Sequence, residues 1–257
     1  MKPRLSQNFL FDPSILRRIA DAAGISSEDT VVEIGPGLGT LTKELLQRAA
    51  KVIAIELDVK LYNNLKGKID SDRFEVFHAD ALKFPYKELG RFKVVSNIPY
   101  HITTPVIFRL LEEKGLKSMT LTIQKEVARR IAARPGGKDY GVLSLAVQYR
   151  GNPRIAFTIP RGAFRPVPKV DSACIHIDVY DRPAVNIEDG SEKQKLLFAL
   201  IRGAFTQRRK TIENGIKKIC PQNPAEALKN AGIDPKRRPE TLSLEEFARL
   251  TEEVARF

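Results

Sequence analysis

Five apolar runs recur along the first half of the chain, each followed by an amphipathic stretch or a short loop. VVEIG (31–35) precedes TLTKELLQRA, and KVIAIEL (51–57) precedes VKLYNNLKGKI. FEVFHAD (74–80) leads into a loop, FKVVSNI (92–98) into a helical face carrying Val106, Ile107, Leu110 and Leu111, and SMTLTIQ (118–124) into KEVARRIAA. Strands that are apolar without alternation are buried on both faces. Alternating with amphipathic helices, they predict an α/β fold whose parallel sheet is covered on both sides. Ligands in such sheets bind outside the carboxyl ends of the strands. An earlier helix is predicted in DPSILRRIADAAG, starting at Asp12-Pro13 and stopping at Gly24.

The rhythm then changes. NPRIAFTIP (152–160) and SACIHIDVY (172–180) read as strands joined by the proline-rich loop RGAFRPVPKVD (161–171). From about residue 183 the pattern is mostly helical, with start signals in QNPAEALKNAG and SLEEFARLTEEVARF. A boundary within YDRPAVNIEDGSE predicts a larger α/β domain over 1–182 and a smaller helical domain over 183–257.

Charge narrows the class of partner. Lys plus Arg outnumber Asp plus Glu by 43 to 31 in 257 residues, a net +12. Such a surface suits polyanions, whose counterions it displaces, and equally suits plain solubility. Only two cysteines occur, Cys174 and Cys220, with no C-x-x-C. A disulfide framework or zinc site is therefore not expected, and a reducing compartment is. No signal-like apolar segment opens the chain and no run approaches a membrane span, so a soluble, cytoplasmic protein is expected.

The first strand ends in VEIGPGLGTLT, where Gly35, Gly37 and Gly39 permit a tight turn and close approach of a ligand. Glu56 follows Gly35 by 21 residues, at the end of the second strand, and can accept hydrogen bonds from both hydroxyls of a ribose. The spacing is G-x-G-x-G, not the dinucleotide G-x-G-x-x-G, and Glu33 sits beside it. A carboxylate there opposes a pyrophosphate and suits the cationic methionine end of S-adenosylmethionine. Asp80, ending the third strand, can accept from an adenine amino group. The competing reading makes these carboxylates helix caps at surface turns.

The fourth strand delivers NIPY (97–100) to the same edge. An exocyclic amine on a nucleobase is a poor nucleophile, because its lone pair is delocalised into the ring. Two acceptors aimed at its protons, the Asn97 side-chain carbonyl and the Ile98 main-chain carbonyl, favour a pyramidal nitrogen whose lone pair faces a methyl donor. Pro99 stiffens the turn, and Tyr100 offers a face on which an extruded base stacks. No strong base is required if the proton leaves after transfer. The plainer alternative is a good turn with its tyrosine packed on the following helix.

SQNFLFD (6–12), EIGPGLGTLT (33–42), IELD (55–58), HADAL (78–82), NIPY (97–100), FRPVPKVDS (164–172) and QRRKTIENG (207–215) stand in one order. Together they resemble the KsgA-type small-subunit ribosomal RNA adenine dimethyltransferases over nearly the whole chain. The resemblance implies a Rossmann-like S-adenosylmethionine-dependent methyltransferase sheet with a small helical domain after it. It further implies transfer of two methyl groups to N6 of each of two adjacent adenosines near the 3′ end of small-subunit RNA, with a role in subunit biogenesis. Asn8 and Leu10 would close over the cofactor, Gly35, Glu56 and Asp80 would line its site, and Asn97 would bridge cofactor and amine. Phe164 would form a second aromatic wall opposite Tyr100, in a loop stiffened by Pro166 and Pro168. The family often has leucine where this chain has Ile98, which leaves the backbone carbonyl in place.

In RGAFTQRRKTIENGIKKI, Phe205, Ile212, Ile216 and Ile219 share a helical stripe. Lys210 and Lys217 lie off it, placed to reach phosphates; Arg208 and Arg209 flank it, suited equally to RNA and to bracing a domain interface. DPKRRPE (234–240) adds a second basic cluster. The expected partner is small-subunit RNA within an immature subunit, met by a monomer. Three rivals remain: an Erm-type large-subunit RNA methyltransferase, a non-catalytic RNA-binding assembly factor, and a small-molecule methyltransferase. The basic helical tail disfavours the last, and the complete set of chemical residues argues against the second.

Overall fold

The computed structural model of the chain describes residues 8–220 and 222–256. In chain order the elements are β1 (Phe9–Leu10), α1 (Pro13–Ala22), β2 (Thr30–Ile34), α2 (Thr40–Leu46), β3 (Lys51–Glu56), α3 (Val59–Lys68) and β4 (Phe74–His78). There follow β5 (Phe92–Asn97), α4 (Thr103–Leu111), β6 (Leu116–Gln124), α5 (Lys125–Ala132), α6 (Val142–Arg150), β7 (Gly151–Ile159), β8 (Phe164–Arg165) and β9 (Ser172–Val179). The remainder is helical: α7 (Glu192–Thr206), α8 (Ile212–Ile216), α9 (Pro224–Asn230) and α10 (Leu244–Val254).

Seven strands form one sheet in the order β4-β3-β2-β5-β6-β9-β7. From β4 to β6 the pairing is parallel, with Ile34 opposite Ile55, Glu56 opposite His78 and Asn97 opposite Thr122. The carboxyl ends of β2, β3, β4 and β5 therefore emerge along one edge. β9 runs antiparallel to β6, with Ser172 opposite Gln124. Its first residue thus lies at that same edge. A separate two-stranded ribbon pairs β1 with β8, Leu10 opposite Phe164.

Local rules account for the elements. Asp12 caps α1 by accepting from the Ser14 N–H at 2.8 Å, with Pro13 in the first helical position. Ile15, Leu16, Ile19 and Ala20 form the buried stripe of α1, packing with Val31, Val52, Val95 and Cys174. β2 and β3 are buried nearly throughout, as strands covered on both faces must be.

By its contacts the chain divides into two units. One runs to Ala128 and resumes over Pro153–Val179; the other joins Arg129–Asn152 to everything from Tyr180 onward. The expected single boundary after 182 thus omits α6 and the second half of α5, which go with the helical unit. The reason is burial: Tyr140, Leu145 and Tyr149 share a core with Leu197, Leu200, Ile201, Ile216 and Phe247. The expected helical stripe across 202–219 is also corrected. α7 ends at Thr206, and Thr211, extended at φ −68° and ψ 158°, starts α8 anew. A Cβ on Gly215 would stand 2.7 Å from Ala204 Cα, so α8 folds back against α7 at backbone distance.

Candidate cofactor and methyl-transfer site

A cavity opens at the carboxyl edge of the parallel strands. Asn8, Leu10, Glu33, Gly35, Gly37, Glu56, Asp80 and Asn97 all line it, so the eight residues singled out for the cofactor converge on one space. Ser6 and Gln7 of the first motif lie outside the described residues.

The glycine loop shapes the floor. Gly35 donates its N–H to the Ile55 carbonyl at 2.9 Å, tying the loop to β3. Gly37 adopts φ +60°, and a Cβ there would come 2.7 Å from the Phe9 ring. Only glycine meets both conditions. Gly37 and Asp58 donate their N–H groups to the two oxygens of Glu56, at 3.2 and 2.9 Å, holding that carboxyl at the end of β3. Glu33 accepts the Thr42 hydroxyl at 2.5 Å. Both carboxyls are 2% exposed. Burial pushes Glu33 from an ordinary 4.5 up to about 8 against the Thr42 hydrogen bond, and proximity to Glu56 adds to the rise. Burial likewise raises Glu56, opposed by its three backbone N–H donors. Asp80 accepts the Leu82 N–H at 2.9 Å, so one of its oxygens does serve the local turn.

This donor set decides what fits. Among the described residues, the lining contains three carboxylic side chains and neither lysine nor arginine. A pyrophosphate would meet uncompensated negative charge, whereas a ligand with an adenosyl end and a cationic amino-acid end matches it.

The N-terminal strap, residues 8–10, lines this cavity. The Asn97 side-chain amide donates to the Asn8 carbonyl at 3.0 Å, and the Thr40 hydroxyl donates to the Leu10 carbonyl at 3.1 Å. With its N–H committed, Asn97 keeps its side-chain oxygen as an acceptor. The Ile98 N–H donates to the Thr122 carbonyl at 3.2 Å, fixing the peptide plane beyond Asn97. The Pro99 ring lies 3.5 Å from where a Gly35 Cβ would be, so the NIPY turn rests on the glycine loop. Tyr100 is half-buried, its hydroxyl 2.7 Å from Ser172 Oγ; burial raises its phenol, partly offset by that bond.

Phe164 departs from expectation. It is wholly buried, faces Leu10 across the ribbon, and packs among Ile15, Leu16, Ile159 and Cys174. Pairing of β8 with β1 turns its ring into the core, so it presents no face to a base and is not a second aromatic wall. Of the two rings, Tyr100 is the one that keeps partial exposure.

The basic residues separate. Arg208 donates to the Gly137 carbonyl at 3.2 Å and approaches Glu240 at 4.0 Å, bracing the helical unit from within. Arg209, Lys210 and Lys217 are exposed. In the second cluster Arg237 is held by Glu246 at 2.5 Å and by the Thr241 carbonyl, while Lys236 and Arg238 are exposed. Among the lining residues, Phe9, Thr40, Leu57 and His101 carry no sequence signal of their own. Thr42 and Ser172 lay inside quoted motifs, but nothing in their spacing marked them as partners of Glu33 and Tyr100.

Residues 1–256 match the ribosomal RNA adenine dimethylase family. The chain is 48% identical over 256 residues to ribosomal RNA small subunit methyltransferase A of Clostridium botulinum (strain Okra / Type B1), covering 96% of this chain and 92% of that protein. A crystal structure of a dimethyladenosine transferase from Plasmodium falciparum superposes with a TM-score of 0.82 at 28% identity, over 94% of this chain and 95% of that one. The 23S rRNA methyltransferase ErmE superposes at 0.73, also 28% identical, over 96% and 100%.

Proposed function

The chain belongs to the ribosomal RNA adenine dimethylase family, and from that premise we propose how its residues divide the work. It transfers methyl groups from S-adenosylmethionine to N6 of two adjacent adenosines near the 3′ end of small-subunit ribosomal RNA. The observation that carries this reading is the cavity in which three strand-end carboxyls meet Asn97. Identity of 48% to a small-subunit enzyme, against 28% to the large-subunit ErmE, favours the small subunit.

S-adenosylmethionine, when bound, supplies a methyl group on a positively charged sulfur. Glu33 faces the cationic amino-acid end, Glu56 accepts from the ribose hydroxyls, and Asp80 accepts from the adenine amine. Gly35 and Gly37 let the backbone approach, and Asn8 and Leu10 cover the ligand and exclude water. At the target base, the Asn97 oxygen and the Ile98 carbonyl accept hydrogen bonds from the N–H groups on N6, two before the first transfer and one before the second, and turn the nitrogen lone pair toward the donor. Pro99 holds that turn, and Tyr100 stacks on the unstacked adenine. After each transfer the cationic N6 releases one proton to solvent, and the sulfur, having kept the bonding pair, leaves neutral. Arg209, Lys210 and Lys217 contact phosphates, positioning the RNA without reading sequence.

The chemical residues all come from one chain, which supports action as a monomer. No helix among the described residues is long and apolar enough to cross a membrane, and Cys174 and Cys220 are buried free thiols. We infer work on immature subunits in the cytoplasm from the RNA substrate alone. Mass spectrometry of small- and large-subunit RNA after incubation with the protein and S-adenosylmethionine tests the reading. Adjacent dimethyladenosines in the small-subunit RNA are expected; modification confined to the large subunit overturns it.

A further inference from the structure

The FRPVPKVDS motif keeps a role once Phe164 is assigned to the core, and it belongs to the motif's last residue. Tyr100 Oη and Ser172 Oγ stand 2.7 Å apart across 72 residues of sequence. Ser172 is wholly buried and Tyr100 half-buried, so water competes weakly for either hydroxyl. The two ends differ in rigidity. Ser172 is the first residue of β9, paired with Gln124 of β6 inside the sheet. Its neighbour Asp171 is pinned twice, its carbonyl accepting the Lys125 N–H at 3.0 Å and its side chain accepting the Arg161 N–H at 3.0 Å. Tyr100 instead sits in a short turn just past β5, before α4. Because β9 is antiparallel, its start lies at the carboxyl edge where β5 ends. The bond therefore spans from a turn, past the end of β6, to a fixed strand.

We propose that Ser172 is a positioning residue for methyl transfer: its hydroxyl anchors the Tyr100 ring and thereby fixes the plane on which the target adenine stacks. This rests on the reading of Tyr100 given above. A ring held only at Cβ can swing about two side-chain torsions, whereas a ring also held at its para oxygen presents one face in one orientation. The N6 lone pair must meet the methyl group along a narrow line, so a wandering platform lowers the rate of the chemical step more than it weakens binding.

The test is a double-mutant cycle on the full-length protein with small subunits as substrate, reading kcat, KM for donor and RNA, and thermal midpoint. Ser172→Ala and Tyr100→Phe should each lower kcat about tenfold with KM nearly unchanged, the loss of one buried neutral hydrogen bond. The double variant should be no slower than either single, because both remove the same bond. Losses that multiply to about a hundredfold, or full kcat in either single variant, overturn the proposal. If Ser172→Ala does not fold, Tyr100→Phe decides alone, since it deletes one oxygen and keeps the ring. Wild-type protein that labels no small-subunit RNA would instead overturn the function proposed above, so the two failures are distinguishable.

Discussion

The side-chain amide of Asn97 donates to the main-chain carbonyl of Asn8 at 3.0 Å, joining the exit of β5 to the N-terminal strap 89 residues away in sequence. One residue thereby ties the strap to the cavity's wall and sets the direction of its own oxygen. Removing the amide loses both at once.

Asn97→Ala should lower methyl transfer by about a hundredfold or more, the usual effect of deleting a preorganised polar group at the reacting centre. RNA binding should survive, because the exposed basic residues are untouched. Asn97→Asp is the sharper variant. Its carboxylate would face the Asn8 carbonyl with no proton to donate, so donor affinity should fall along with turnover. Isothermal titration and single-turnover rates check both; full activity in Asn97→Ala would refute the mechanism.

Gly37→Ala should fail at the donor site before it fails to fold. The residue holds φ +60°, which costs an alanine about 1–2 kcal/mol. The added methyl also displaces the Phe9 ring, which it would meet at 2.7 Å. Gly37 further orients Glu56 through its N–H. Donor affinity should drop with only a modest loss in thermal midpoint, and an unchanged affinity would show that the strap yields freely.

Phe164→Ala should destabilise the fold by about 3–5 kcal/mol, the cost of emptying a fully buried aromatic site. Phe164→Leu should cost less and retain kcat, because no base stacks on that ring. Chemical denaturation beside kinetics separates the two roles. A large fall in kcat for Phe164→Leu at nearly native stability would restore the aromatic wall.

The carboxyl edge was legible because a parallel sheet leaves little choice. Once β2, β3, β4 and β5 are parallel neighbours, Glu33, Glu56, Asp80 and Asn97 must gather at one edge. The ribbon of β1 and β8 was not legible. Two-residue strands carry no periodicity, and their pairing spans 154 residues from Leu10 to Phe164. Without that pairing, the direction of the Phe164 ring is undetermined. The 129–152 segment escaped for a similar reason: Tyr140, Leu145 and Tyr149 look like any apolar helix face, and only packing on α7 shows which core they join. Arg208 could go either way from its place beside the stripe, and only the fold shows its hydrogen bond to the Gly137 carbonyl.

The Glu33 carboxyl ties the pH dependence of stability to that of donor binding. Its folded value of about 8 lies above the ordinary 4.5 because the site is buried. Between those values the folded chain keeps a proton that the unfolded chain has released. Its contribution is therefore fully present below about pH 4.5 and is lost as pH rises toward about 8. The thermal midpoint of the free protein should fall across that window, and Glu33→Gln, which keeps a partner for Thr42 without titrating, should flatten the slope. A bound cation reverses the preference, since it favours the carboxylate that burial disfavours. Donor binding near neutral pH should then release up to one proton and tighten as pH rises. Calorimetry in buffers of different ionisation enthalpy reads that proton directly. An observed enthalpy independent of buffer at pH 7 would mean that Glu33 does not face the cationic end of the donor.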